Sequence, residues 1–183
     1  MRHWLLTSTT YGTWLPGDAR GSVTSVRDYR TTDGDRRVRV EHDRHGELWE
    51  APIPKLAQCA TAQMARSAVW LNAQHASLVT ESFVATAAYR GWTLHASSVM
   101  ANHFHVVASA PPDVRAEKLL RDFKAYASRA LNQHAGSQGA DLWWTRSGSR
   151  RPLWDVRALD RAVNYVLNQQ KPLCVWNQPP ENV

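Results

Sequence analysis

The chain has little cysteine, little lysine and no long apolar run, and each shortage narrows what it can be. Cys59 and Cys174 are the only cysteines among 183 residues, far apart and in no paired metal-binding spacing. That excludes a disulfide-built secreted scaffold and a cysteine zinc module, and fits two reduced thiols in the cytoplasm. No apolar stretch approaches the ~20 residues that cross a bilayer, so no membrane partner is expected. The opening Met1-Arg2-His3-Trp4-Leu5-Leu6-Thr7-Ser8 turns polar too soon to read as a secretory leader. There is no internal repeat and no low-complexity block.

What is present points to a globular domain that meets polyanions. Hydrophobic residues make up 43% of the chain, enough for a sizeable core. We read residues 1–183 as one domain with a long charged insertion at about 17–50. The net charge is +6, and only four of the 22 cations are lysine. Arginine's planar fork suits phosphate oxygens, and a basic chain attracts nucleic acid at long range. Nine tryptophans add flat surfaces on which unpaired bases can stack.

Residues 3–10 are rich in β-formers and read as a first strand. The insertion has room for one short hairpin. Pro52 and Pro54 precede a helical period over 55–76, and a second helical stretch, 80–90, stops at Gly91. Residues 92–99 and 103–109 read as strands joined in a hairpin by Met100-Ala101-Asn102. Asp113 offers a cap to a long helix over 114–134. Leu119, Leu120, Phe123, Ala127 and Leu131 form its buried stripe, with Asp122 among the wetter positions. Trp143–Thr145 and Pro152–Trp154 read as short strands, 157–170 as a final helix, and the tail after Pro172 as irregular. The order implies an α+β fold: an antiparallel sheet with helices mainly on one face, leaving the other for chemistry.

His103 and His105 are two apart on a predicted strand. Alternation sends both imidazoles to one face and Phe104 to the other, so the pair can grip a divalent metal from one side. The final helix carries Tyr165-Val166-Leu167-Asn168-Gln169, where Tyr165 and Gln169 are one turn apart. A Gln169 carbonyl would complete a mixed nitrogen and oxygen site suited to Mg²⁺ or Mn²⁺, with Tyr165 beside it. A phenol is a weak nucleophile until activated, and a polarised phosphate makes it a better attacker.

Val99-Met100-Ala101-Asn102-His103-Phe104-His105-Val106-Val107 resembles the histidine strand of the single-tyrosine HUH transposases. These include the insertion-sequence 200 type and the REP-associated tyrosine transposases. Tyr165–Gln169 resembles their nucleophile helix, and the sixty residues from His105 to Tyr165 are a similar separation. The resemblance implies a ferredoxin-like sheet, with metal on His103, His105 and Gln169. It implies that Tyr165 cuts single-stranded, hairpin-flanked DNA through a 5′-phosphotyrosine link that is later rejoined. REP-associated members tend to carry Asn-Pro where this chain has Gln169-Gln170. Monomer and homodimer both stay open, because insertion-sequence members tend to be dimers and REP-associated ones can act alone.

Other residues compete for roles. Tyr126 lies on the long helix among basic residues, but its position plus four is Ala130, which binds no metal, so it reads as packing or DNA contact. Tyr11 and Tyr89 have no ligand partner, and His95, on the neighbouring strand, reads as a structural histidine ahead of one that lines the site. Arg121, Lys124, Arg146, Arg150 and Arg151 are candidates for DNA backbone contacts. Two rival functions remain: a hairpin-binding module that does not cut, and a small-phosphoester hydrolase using only the histidine metal.

Overall fold

The first strand, β1 (Arg2–Thr9), pairs antiparallel with β5 (His103–Ala110) along its whole length, from Arg2 opposite Ala110 to Thr9 opposite His103. This is a computed structural model, and it describes residues 1–19, 31–32, 36–37, 53–136 and 142–179. Beyond β5 lies β4 (Thr93–Val99), then β7 (Cys174–Asn177); on the far side of β1 lies β6 (Ser149–Leu153). The sheet order is β6-β1-β5-β4-β7, antiparallel throughout. As expected from sequence, β4 and β5 form a hairpin, closed by Met100 N–H donating to His103 O at 2.8 Å.

Alternation along these strands divides the core into two layers. Leu6, Phe104, Val106 and Ala108 face α2 (Ala73–Arg90) and α3 (Ala116–Ala135). Phe83 of α2 sits edge-on to Phe104 and Phe123 at 4.9 and 5.3 Å, and all three are fully buried. Truncating such a side chain typically costs about 3–5 kcal/mol. Leu5, Ala96 and Val107 face the other way, against Ala162 and Val166 of α4 (Val156–Leu167). The fold is therefore α+β with two long helices on one face and one short helix on the other. No described helix is long and apolar enough to cross a membrane.

The chain separates into two units: Met1–Thr13 with Ala68–Val183, which holds this sheet, and Trp14–Ser67. The second contains the short pair β2 (Thr31–Thr32) and β3 (Arg36–Arg37), and α1 (Pro54–Ala62). Most of the insertion expected at 17–50 lies outside the described residues.

Several boundaries differ from the sequence reading. The helix expected over 55–76 stops at Ala62, none of its residues is buried, and a new one starts after Asn72. Between them Val69 and Leu71 donate backbone bonds to Tyr11 O and Ala101 O, partners supplied by distant chain. Asn72 then restarts the helix with a capping box to His75. The third helix begins at Ala116, because residues 111–114 form a turn that takes Asp113 away from the cap. Asp122 is buried, not wet, and Arg90, Lys118 and Arg121 surround its carboxylate. The late strand is Ser149–Leu153, with Trp144 making only a single bridge to Thr10. The tail holds a strand after all, since β4 leaves an edge for Cys174–Asn177 to pair with.

Candidate active site

His103 and His105 leave β5 on the side covered by α4, while Phe104 enters the α2–α3 core. Their rings stand 5.0 Å apart and nearly perpendicular, at 82°. Each is held at Nδ1. Asn102 Oδ1 lies 2.7 Å from His103 Nδ1, and because that oxygen only accepts, the ring carries its proton there and its lone pair on Nε2. Thr7 stands directly across the ladder from His105, with its hydroxyl 2.7 Å from His105 Nδ1. A hydroxyl can accept from or donate to Nδ1, and where Thr7 accepts, His105 takes the same tautomer as His103.

The last helix brings the phenol. Asp155 accepts from Ala158 N–H at 2.7 Å and starts α4. Burial of Ala162 and Val166 against the sheet then sets the helix's rotation. Tyr165, half-buried, lands with its ring 5.3 Å from that of His105, within the same chain.

Gln169 comes beside Tyr165 by a different route from the one expected. The helix ends at Leu167, where Asn168 Nδ2 folds back onto Asn164 O at 2.8 Å. Lys171, at φ 53°, then turns the chain toward Pro172 and β7. Gln169 is therefore past the helix, and its Nε2 donates to Tyr165 O at 2.8 Å, fixing the plane of the amide. Tyr165, Asn168, Gln169 and Gln170 line one cleft. Among the described residues no three His, Cys, Asp or Glu side chains gather as a metal cluster. Two imidazoles on one face fit a divalent ion whose remaining ligands are amide, hydroxyl or water oxygens.

A family model described as "Transposase IS200 like" matches residues 58–169, a stretch that contains both histidines, Tyr165 and Gln169. The chain belongs to the IS200-like transposase family. The resemblance read from the histidine strand and the tyrosine helix is thereby borne out. No curated protein matches the sequence. Among solved structures, a REP-associated tyrosine transposase bound to a REP hairpin aligns at 11% identity with a TM-score of 0.45. That alignment covers 91% of this chain and 64% of the other, so the chain spans less than two thirds of its neighbour's length.

The basic candidates of the chain divide into separate places. Arg121, Lys124, Arg146 and Arg150 line a cleft of about 360 Å³ between α3 and residues 142–150. Lys124 is committed within it: its ammonium donates to the carbonyls of Thr145, Arg146 and Ser147. Burial, and then the neighbouring Arg150, push its pKa down to about 8. Thr145 bonds in turn to Thr9, so the 145–147 turn is strapped to α3 by Lys124 and to the end of β1 by Thr145. Tyr126 lies elsewhere, beside Tyr89 and under the guanidinium groups of Arg90 and Arg129. Arg151 is exposed on β6.

The sequence reading missed the partners behind the imidazoles. Asn102, adjacent to His103, was within its reach. Thr7 becomes visible only through the β1–β5 register.

Proposed function

We propose that this transposase cuts and rejoins single-stranded DNA through a covalent link to Tyr165. One observation carries the reading: the Tyr165 ring lies 5.3 Å from His105, beside a histidine pair whose Nδ1 atoms are already committed to oxygen partners. In the cutting step the Tyr165 oxygen attacks the scissile phosphorus and loses its proton. The bond to the 3′ oxygen breaks, that oxygen takes up a proton, and the 5′ phosphate remains on the tyrosine. A 3′ hydroxyl later reverses these changes and restores the strand, so no nucleotide cofactor is consumed.

His103, His105 and Gln169 are the residues that would hold a divalent ion, Mg²⁺ or Mn²⁺. When bound, it supplies polarisation of a non-bridging phosphate oxygen. Asn102 and Thr7 keep the imidazoles oriented, and the Gln169 bond to the Tyr165 carbonyl ties the amide to the helix end that presents the phenol. Arg121, Arg146 and Arg150 are placed to neutralise phosphates of a hairpin stem in their cleft. We take residues 1–183 as one catalytic domain that carries the 17–50 insertion.

The test is to mix the protein with single-stranded hairpin DNA and Mg²⁺ or Mn²⁺. An adduct resistant to boiling in detergent is expected, and Tyr165→Phe should abolish it. Survival of the adduct in that variant, with loss in Tyr126→Phe, would overturn the assignment. Salt-sensitive hairpin binding with no adduct under either metal would instead mark a binding module.

A further inference from the structure

The side of the sheet that faces α4 carries a second histidine pair, unused by the chemistry above. His3 lies near the start of β1, directly opposite Ser109 of β5. On β4 the register slips between Leu94 and Ala96, and this bulge turns His95 toward the same side as Ala96. His3 Nδ1 and His95 Nε2 consequently both lie 2.5 Å from one atom, Ser109 Oγ. The two rings are 6.1 Å apart at 60°, wider and less perpendicular than the His103–His105 pair at 5.0 Å and 82°. Ser109 is 2% exposed, whereas both imidazoles are partly open to solvent, which leaves an ion a way in.

The hydrogen bonding is informative. A serine hydroxyl has one proton to give, so it can donate to one ring only, and the other ring must donate to it. Two ring nitrogens thus converge on a single point, with only a neutral oxygen between them. Gln178 braces His95 through a side-chain bond, and its backbone N–H donates to His95 O at 3.0 Å. Burial, followed by the nearby His3, lowers the pKa of His95 and so favours the neutral ring, the form that ligates metals. A third pair, His75 and His134 at 6.0 Å, shows no such shared atom and packs against Trp143 instead.

We propose that His3 and His95, with the Ser109 hydroxyl, form a second metal site that takes a borderline transition ion such as Zn²⁺, Ni²⁺ or Cu²⁺. Two imidazoles and one neutral oxygen suit these ions, whereas Mg²⁺ and Ca²⁺ require oxygen-rich shells. An ion here cross-links β1, β4 and β5 at the end of the sheet away from Tyr165. Because the three donors converge only where the strands pair, binding favours the folded chain and clamps the sheet. The site does not depend on the strand-transfer reading.

The experiment uses the full chain carrying His103→Ala and His105→Ala, stripped with chelator and titrated with Cu²⁺ or Zn²⁺. Calorimetry should show one retained equivalent, the Cu²⁺ resonance spectrum should report two nitrogen ligands, and the melting temperature should rise. Adding His3→Asn and His95→Asn should remove all three effects. Ser109→Ala, which keeps both rings, should weaken binding by about 10–100-fold. Retained binding that survives the His3 and His95 changes but is lost in His75→Ala with His134→Ala would overturn the proposal. So would the absence of binding in the starting variant while its circular dichroism and melting match the parent chain.

Discussion

At one end of the α4-facing side of the sheet, His103 and His105 are backed by an amide and a hydroxyl and stand beside a phenol. At the other end, His3 and His95 converge on a hydroxyl, with no phenol beside them among the described residues. The donor types are nearly the same, and between the two ends lies the apolar patch of Leu5, Ala96 and Val107. The difference lies in what α4 delivers. Its apolar residues cover the patch, and the helix ends where Tyr165 meets His105. Imidazole pairs arise readily where strand alternation or a bulge aims them together. Reactivity is added by the element that terminates above them.

This contrast can be broken or sharpened by substitution. The largest effect is expected from His105→Ala, which should reduce strand cleavage by about 10²–10³-fold while hairpin binding persists. Equal loss of binding would mean that His105 holds the DNA and not the chemistry. Thr7→Val removes only the oxygen behind His105 and should cost about 10–100-fold in metal affinity or cleavage. The matching change at the other pair, Ser109→Ala, should leave cleavage unchanged; a comparable loss would show that the two ends work together.

Lys124 offers a smaller effect, visible as a function of pH. Its pKa in the fold, about 8, lies below the ordinary 10.5, so the unfolded chain binds that proton more tightly. The parent chain should therefore gain stability relative to Lys124→Met as pH rises from about 8 to 10.5. Melting curves across that range check it, and parallel curves would mean that the ammonium is not buried in the turn. Smallest is Asp155→Ala, which removes the cap of α4 and should cost about 1 kcal/mol by denaturant titration.

The parts of this molecule that were legible from sequence depend on short-range periodicity. A two-residue period placed His103 and His105 opposite Phe104, and a helical period placed Leu119, Phe123, Ala127 and Leu131 in the core. Gly91, at φ 66°, ends α2 as its lack of a side chain allows. What escaped was set by distant partners. The break before Asn72 depends on carbonyls of Tyr11 and Ala101, and β7 exists because β4 has a free edge to pair with. Asp122 looked like a surface charge. Burial alone would raise its carboxyl's pKa, but Lys118, then Arg90 and Arg121, outweigh burial and hold it below the usual range. Gln169, expected one helical turn from Tyr165, instead belongs to the turn after the helix and bonds back to the Tyr165 carbonyl.

The turn strapped by Lys124 ends at Gly148. A Cβ built there would press against the carbonyl oxygen of Thr7 and against Leu120, closer than real Cβ atoms come. In a library covering every substitution, position 148 should tolerate glycine alone. Variants there would fail by lifting the turn off the strand that carries Thr7, with every reacting group still present. Position 148 is fixed by backbone clearance and takes no part in the chemistry itself.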